Sequence, residues 1–293
     1  MDTDIKTIGV ILSWQTDGCY ADRKRLVKSL EALEVPRYTI PPYNSLNVQW
    51  VLNQLVHDSK IIKIGETAER ISYAVVDEIK DVDINVWNGK MRDVIVWYRN
   101  SNKVICRNAV DQEGHIASTI QAHSQYVYSY DLNKVIEQSL LSSTSAIKIK
   151  AGVLFVPFVG PQASNDGVDR AVDIMYGIEM DIEGGFIYNQ IDVADTGFNR
   201  DTVVSMANTY VAHLLAKQES RLLADATKPR VNKPKRTYIE NSLSKLQHVR
   251  NLIHDYEELT VVDRISEAAA PQIKRCEQLI ENIANKAGLT TET

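Results

Sequence analysis

The 293-residue sequence lacks the short motifs of the common enzyme families. Its 13 glycines form neither G-x-G-x-x-G nor G-x-x-x-x-G-K-[ST], the loops that cradle phosphates in many nucleotide-binding proteins. There is no H-E-x-x-H, no G-x-S-x-G and no cysteine–histidine cluster with metal-ligand spacing. The sequence therefore predicts no cofactor and favours a non-enzymatic protein, although scattered residues can still assemble an active site.

Cysteine and long apolar runs are also scarce. The three cysteines, Cys19, Cys106 and Cys276, are odd in number and far apart, which favours a reducing compartment over a disulfide scaffold. The first residues are polar and acidic rather than those of a signal peptide, and no run approaches 18 apolar residues. These absences predict a cytoplasmic protein that does not enter the membrane.

Positive charge is concentrated in one place in a chain of net charge −5. Residues 228–236, KPRVNKPKR, contain five cations and two prolines. Such a composition is typical of an extended, solvated linker. The alternative is a phosphate-binding site with a neighbouring tyrosine to stack on a base. The residues of this candidate nucleic-acid site are Lys228, Arg230, Lys233, Lys235, Arg236 and Tyr238.

The first half of the chain carries the clearest strand signals. Residues 8–14 predict a buried strand, and helices are expected at 22–33 and 47–56. Runs at 71–79, 82–87, 91–98 and 103–107 predict an antiparallel meander, with Asn88-Gly89 as a two-residue hairpin turn.

The second half alternates between helical and strand patterns. Residues 112–141 read as helical, with a break near Asp131. A strand at 147–158, a helix at 166–182 and a strand at 186–193 then predict a strand–helix–strand unit.

The last third is helical. A helix is expected from Arg200 to about Ala226. After the basic segment, apolar residues at spacings of three and four predict two amphipathic helices that form an antiparallel hairpin or pack on the body. Their apolar stripe is a candidate surface for self-association or for a protein partner. The residues of that stripe are Leu243, Leu246, Val249, Ile253, Ile273 and Ile280.

These patterns predict an α+β fold in which a meander and a strand–helix–strand unit precede a helical C-terminal region. The predicted division is an α+β body at 1–227, with candidate sub-units 1–142 and 143–227, a basic linker at 228–236 and a helical hairpin at 237–293.

An acidic run is the one candidate for a metal site. Residues 166–195 contain eight carboxylates and one cation, and Asp166, Asp169 and Asp173 share one face of the predicted helix. Carboxylates at this spacing suit Mg²⁺. The alternative, which the general behaviour of charge runs favours, is a solvated face with acids near a helix N-terminus.

Residues 147–157, Ile-Lys-Ile-Lys-Ala-Gly-Val-Leu-Phe-Val-Pro, precede that acidic helix and a strand ending in Ile191-Asp192-Val193. Together they resemble a recurrent segment in uncharacterised proteins of bacteria and their phages. The resemblance covers about a quarter of the chain and implies a phage or mobile-element setting. It brings no function and no site residue with it.

The leading hypothesis is a non-enzymatic interaction or assembly protein that contacts nucleic acid through residues 228–236. A dedicated nucleic-acid-binding protein is the first alternative. A divalent-metal-dependent hydrolase or nuclease that uses the acidic run is the second.

Overall fold

The structure is a computed structural model that describes residues 6–41, 45–56, 59–78, 89–101, 103–158, 166–227, 236–260 and 264–287. The strands in chain order are β1 (Thr7–Gln15), β2 (Tyr20–Asp22), β3 (Ser59–Glu66), β4 (Arg70–Glu78), β5 (Gly89–Tyr98), β6 (Lys103–Cys106), β7 (Tyr126–Tyr128), β8 (Ile147–Lys150), β9 (Val153–Pro157), β10 (Ile182–Glu183) and β11 (Ile187–Ala194). The helices are α1 (Arg23–Ala32), α2 (Ser45–Leu55), α3 (Glu113–Ser124), α4 (Ser129–Ser143), α5 (Asp166–Glu179), α6 (Gly197–Thr227), α7 (Arg236–Thr260) and α8 (Arg264–Ala287).

The central sheet has the order β11-β1-β9-β8, and each neighbouring pair is antiparallel. Since β9 and β11 are both antiparallel to β1, they run parallel to each other on its two sides. Helix α5 connects them, which confirms the predicted strand–helix–strand unit. The candidate sub-units 1–142 and 143–227 therefore share this sheet, because β1 comes from the first and its two neighbours from the second.

Helices cover both faces of the central sheet. Val10, Leu12 and Leu154 pack with α1, α4 and α5 on one face. Phe155 packs with α6, α7 and α8 on the other. A register shift between Thr7 and Gly9 marks a bulge at Ile8, and this bulge turns the Ile8 side chain onto the second face.

The predicted strand at 147–158 is instead a hairpin of β8 and β9. Lys150 pairs with Val153, so the turn consists of Ala151 and Gly152. Gly152 has φ +70°, a left-handed conformation that favours glycine. Both arms of this hairpin have strand-like patterns, alternating in β8 and apolar in β9, so the sequence prediction joined them into one strand.

The meander has the order β3-β4-β5-β6 and packs one face on α2 and α3. The predicted turn at Asn88-Gly89 is wrong, because Gly89 pairs with Glu78 and Met91 pairs with Val76. Residues 82–87 and Asn88 lie outside the described residues. Strand β3 was missed, because its alternation is interrupted by a register shift between Lys63 and Gly65.

The segment predicted as helical at 112–141 is split by the short strand β7. This strand pairs with β2, which pairs with β10, in a small three-stranded sheet. The break therefore lies at 126–128 rather than near Asp131, because backbone pairing with residues 20–22 overrides the local helical pattern.

The C-terminal region consists of α6, α7 and α8, which share one apolar core. The predicted α+β class with a helical C-terminal region is confirmed. None of the helices in the described part of the chain is long and apolar enough to cross a membrane.

Candidate functional site

The predicted basic site lies mostly outside the described residues, which resume at Arg236. The guanidinium of Arg236 donates to Glu240, one helical turn away, at 3.0 Å. Both side chains of this pair are exposed, and such pairs contribute little to stability and exchange readily with solvent. Arg236 thus remains accessible at the start of α7.

Both the hydroxyl and the ring of Tyr238 contact other side chains. The hydroxyl donates to Asp225 at 2.6 Å, and the guanidinium of Arg221 lies 5.2 Å from the ring centroid. Burial, followed by the hydrogen bond to Asp225, raises the pKa of Tyr238 to about 12. The ring also packs against the apolar core shared by α6, α7 and α8, so this side chain is only partly exposed.

The apolar stripe predicted for association is largely used within the chain. Leu246, Val249, Ile253 and Ile280 are buried in the core shared by α6, α7 and α8, and Ile273 packs against it. Leu243 is exposed. In this core the two helices of the predicted hairpin also pack on α6, the helix predicted from Arg200 to about Ala226.

The acidic face of α5 is solvated where it is described. Asp169 and Asp173 are exposed, and the side chain of Asp166 lies outside the described residues. Within the described ranges no group of three or more His, Cys, Asp or Glu side chains is arranged to hold a metal ion.

A groove of about 800 Å³ lies between α7 and the body of the molecule. The segment after α1 and the C-terminal part of α4 form one wall, and α7 forms the other. Two cations face it, Arg37 from the first wall and Lys245 from α7. The remaining lining residues are Pro36, Tyr38, Thr39, Gln138, Leu141, Ser142, Ser244, Gln247, His248 and Asn251.

Hydrogen bonds fix Arg37 in this groove. Its guanidinium donates to the hydroxyl of Ser244 on α7 at 2.7 Å. The Ser142 hydroxyl donates to the Arg37 carbonyl at 2.8 Å, and the backbone N–H of Thr39 donates to Gln138 at 3.1 Å. The segment is therefore tied to α4, and the arginine is oriented before any ligand arrives.

Two further cations, Lys217 and Arg221, approach Lys245 from α6. They are one turn apart on that helix, and Arg221 reaches α7 through its contact with Tyr238. Burial, followed by the charges of Arg221, Arg37 and Lys217, lowers the pKa of Lys245. We call Arg37, Lys217, Arg221 and Lys245 the cationic cluster.

The carboxylates that lie near this cluster along the chain are engaged elsewhere. Glu219 pairs with Arg275 on α8 at 3.2 Å and accepts from Gln272 at 2.9 Å. Asp225 accepts from Tyr238, and Glu240 accepts from Arg236. Within the described part of the chain, no member of the cationic cluster forms an ion pair with a carboxylate. The cluster is therefore an anion-attracting surface.

A second cleft, of about 620 Å³, continues the groove along α7 and shares Ser142, His248 and Asn251 with it. Its lining is rich in hydroxyl, imidazole and amide groups. Its one carboxylate, Asp255, already accepts a hydrogen bond from Ser145, and Arg170 donates to the Leu33 carbonyl. Burial and the charge of Arg37 lower the pKa of His248, which keeps its imidazole neutral at pH 7.

This groove has little local signature in the sequence, because the cations in and beside it are scattered along the chain. Arg37 and its partner Ser244 are 207 residues apart. Lys217 and Arg221 lie on a long helix whose charges alternate in sign, with Glu219 between them. A spacing of four residues between two cations was the only local signal, and it is common on solvated helices.

Comparison of the chain with family models, with curated proteins and with solved structures gives no match. Function is therefore inferred from the charge and geometry of the molecule.

Proposed function

We propose that the protein is a non-enzymatic binding protein for single-stranded nucleic acid. In this proposal the cationic cluster and the basic segment at 228–236 hold the phosphate backbone. The observation that carries it is that Arg37 and Lys245 line one groove while Lys217 and Arg221 act on Lys245 from α6, and none of the four pairs with a carboxylate among the described residues. Cations that neutralise phosphates release counterions, which is the main source of sequence-independent affinity.

The position of the basic segment supports this assignment. Residues 228–235 connect the end of α6 to the start of α7, and both helices carry members of the cluster. Arg221 lies six residues before the end of α6, about 9 Å along the helix axis. The segment therefore joins two helices that each carry members of the cluster.

The polar cleft beside the groove supports a single strand rather than a duplex. Hydroxyl, amide and neutral imidazole groups, such as those of Ser142, Asn251 and His248, hydrogen-bond to the edges of bases. Those edges are free in a single strand, while pairing occupies them in a duplex. The acidic remainder of the chain limits this contact to one surface.

The test is fluorescence anisotropy with labelled single-stranded and duplex oligonucleotides over a salt series. If the four cations of the cluster contact phosphates, the log–log salt slope for a single strand is about −3 from the cluster alone. The variant Arg221→Glu with Lys245→Glu is expected to weaken binding about tenfold or more and to make the slope shallower.

The matched control is Lys103→Glu with Arg107→Glu. These cations are exposed on the meander and away from the groove, and the substitution changes the net charge equally. An equal loss of affinity in both variants would show that net charge alone causes the effect, and it would contradict a localised site. Absence of binding by the intact protein at low salt would overturn the proposal.

A further inference from the structure

The exposed sheet edges of the molecule differ in their protection against further pairing. Edge strand β8 is four residues long and carries Lys148 and Lys150. Edge strand β3 carries Lys60 and Lys63, and edge strand β6 is four residues long and carries Lys103. Short edges and lysines are the usual means by which proteins prevent the addition of another strand.

Strand β11 has none of this protection. It is eight residues long, IYNQIDVA, and contains no lysine, arginine or proline. It ends the central sheet, and in the described part of the chain β1 is its only partner. Ile187 and Ile191 are 59% and 58% exposed, which is high for isoleucines in a strand. An unprotected edge with exposed apolar side chains indicates an interface.

The backbone groups that β11 offers follow from the register of the sheet. Trp14 donates its N–H to Gly152, so the even-numbered residues at this end of β1 point toward β9 and the odd-numbered ones toward β11. Ser13 is paired with Asn189. The odd-numbered residues of β11 therefore bond to β1, and among the residues that the structure describes the outward N–H and C=O groups of Tyr188, Gln190 and Asp192 have no strand partner.

We propose that a second copy of this chain pairs antiparallel with β11 about a two-fold axis at Asn189, which joins two central sheets into one of eight strands. In this register Tyr188 of each copy lies opposite Gln190 of the other. Their outward groups exchange about four hydrogen bonds across the two pairs.

In this register the side chains of β11 are complementary to those of β11 in the second copy. Ile187 lies opposite Ile191 of the other copy in a non-hydrogen-bonded pair, where side chains approach most closely. The contact occurs twice by symmetry, once on each side of Asn189. Asp192, the one charged residue of the strand, lies opposite Phe186 and not opposite its own equivalent. A shift by two residues in either direction separates the isoleucines, so the strand favours one pairing with its own copy.

The first test is the mass of the full chain in solution, measured by sedimentation velocity over a wide concentration range. Gln190→Pro removes an outward N–H that β1 does not use, and a proline is tolerated at such an edge position. Ile191→Lys places a charge opposite Ile187. The wild-type protein is expected to be a dimer and both variants monomers. The matched control, Ile64→Lys, changes an isoleucine of similar exposure on edge strand β3 and is expected to remain dimeric.

The second test reads the register directly by disulfide cross-linking. In Asn189→Cys the two cysteines face each other with Cα atoms about 4.5 Å apart, within disulfide range. In Gln190→Cys they lie about 8 Å apart and on the other face, beyond that range. The three native cysteines are buried and do not compete. A covalent dimer on oxidation is expected from the first variant and not from the second.

A wild-type protein that stays monomeric at every concentration would overturn the proposal. So would a dimer that survives Gln190→Pro and Ile191→Lys, because its interface would lie elsewhere. Equal cross-linking of both cysteine variants would contradict the register. Neither test involves the cationic cluster, so the outcome is independent of nucleic-acid binding.

Discussion

The two four-stranded sheets differ in how helices bury them. In the central sheet the adjacent residues Leu154 and Phe155 are both fully buried, on opposite faces and against different sets of helices. In the meander, Ile95 and Trp97 of β5 are buried, while Val96 between them is only half-buried. Helices thus cover the central sheet on both sides and pack on one side of the meander.

The two sheets also differ in how far apart in the chain their paired strands lie. The meander pairs strands that follow one another in the chain, so most of its contacts are local. The central sheet pairs residues 7–15 with 153–157 and 187–194, and the C-terminal helices close its second face. Its stability therefore depends on contacts between the two ends of the chain, and such pairing is slow to form.

The largest losses of stability on substitution are expected in the central sheet. Phe155→Ala removes a buried ring that packs on Tyr256, with centroids 6.2 Å apart, and should lower the free energy of unfolding by about 3–5 kcal/mol. Leu154→Ala, on the opposite face, should cost about 2–5 kcal/mol. Urea denaturation followed by circular dichroism measures both. A small cost for either residue would show that one face of this sheet is not closely packed.

In the meander, substitutions on the two faces of the sheet should instead differ in their cost to stability. Ile95→Ala leaves a cavity between the sheet and α2 and α3, and should cost about 2–4 kcal/mol. Val96→Ala, the next residue along β5, should cost less than about 1 kcal/mol because its side chain is half-exposed. Chemical denaturation of the two variants side by side gives the contrast. Equal costs would contradict the one-sided packing of this strand.

The same difference decides what could be predicted from the sequence. The strands of the meander predicted at 71–79 and 91–98 show their β pattern locally, and these bounds lie within two residues of those of β4 and β5. The hairpin at 147–157 was predicted as one strand because both of its arms have strand patterns, with isoleucine and lysine alternating in β8 and a continuous apolar run in β9. Gly152 was the only sign of a turn between them. Strand β7 was hidden because its partner, β2, lies more than 100 residues earlier.

The candidate site was less predictable than the fold. Two of its features, the basic segment and Tyr238, were proposed from the sequence because their charge and ring are visible in a short window, and their binding role stays a prediction. The groove was not, because Arg37 and Lys245 come to line it only when the two ends of the chain pack together. Likewise, the apolar stripe of α7 and α8 gave no sign that α6 would cover it.

A smaller effect is expected from the hydroxyl of Tyr256, which joins the C-terminal helices to the central sheet. This side chain is fully buried, and its hydroxyl donates to the Ser145 carbonyl at 3.0 Å. Tyr256→Phe keeps the ring but leaves that carbonyl without this donor, and should cost about 1–2 kcal/mol. Tyr130→Phe is the control, because Tyr130 is exposed and should leave the denaturation midpoint unchanged. An equal midpoint for both variants would indicate that water replaces the lost bond.

The smallest effect is a dependence on pH at the junction between the two sheet regions. His123 of α3 stacks on Tyr128 of β7, with centroids 3.9 Å apart and planes at 10°, and lies 5.0 Å from the ring of Trp50 on α2. Burial lowers the pKa of His123 to about 4, below the ordinary value of 6.5. The folded protein therefore binds this proton less readily than the unfolded chain does.

It follows that stability is full above about pH 6.5 and falls as the pH decreases toward 4. The loss between pH 7 and 5 should be about 1 kcal/mol, less than a fully buried ring would give, since partial exposure screens the charge. Urea denaturation at the two pH values measures it. His123→Gln should remove this part of the pH dependence, while His213→Gln, at an exposed position on α6, should retain it. If both variants kept the full dependence, the stacked imidazole would not be its source, and the junction would lose no stability on acidification.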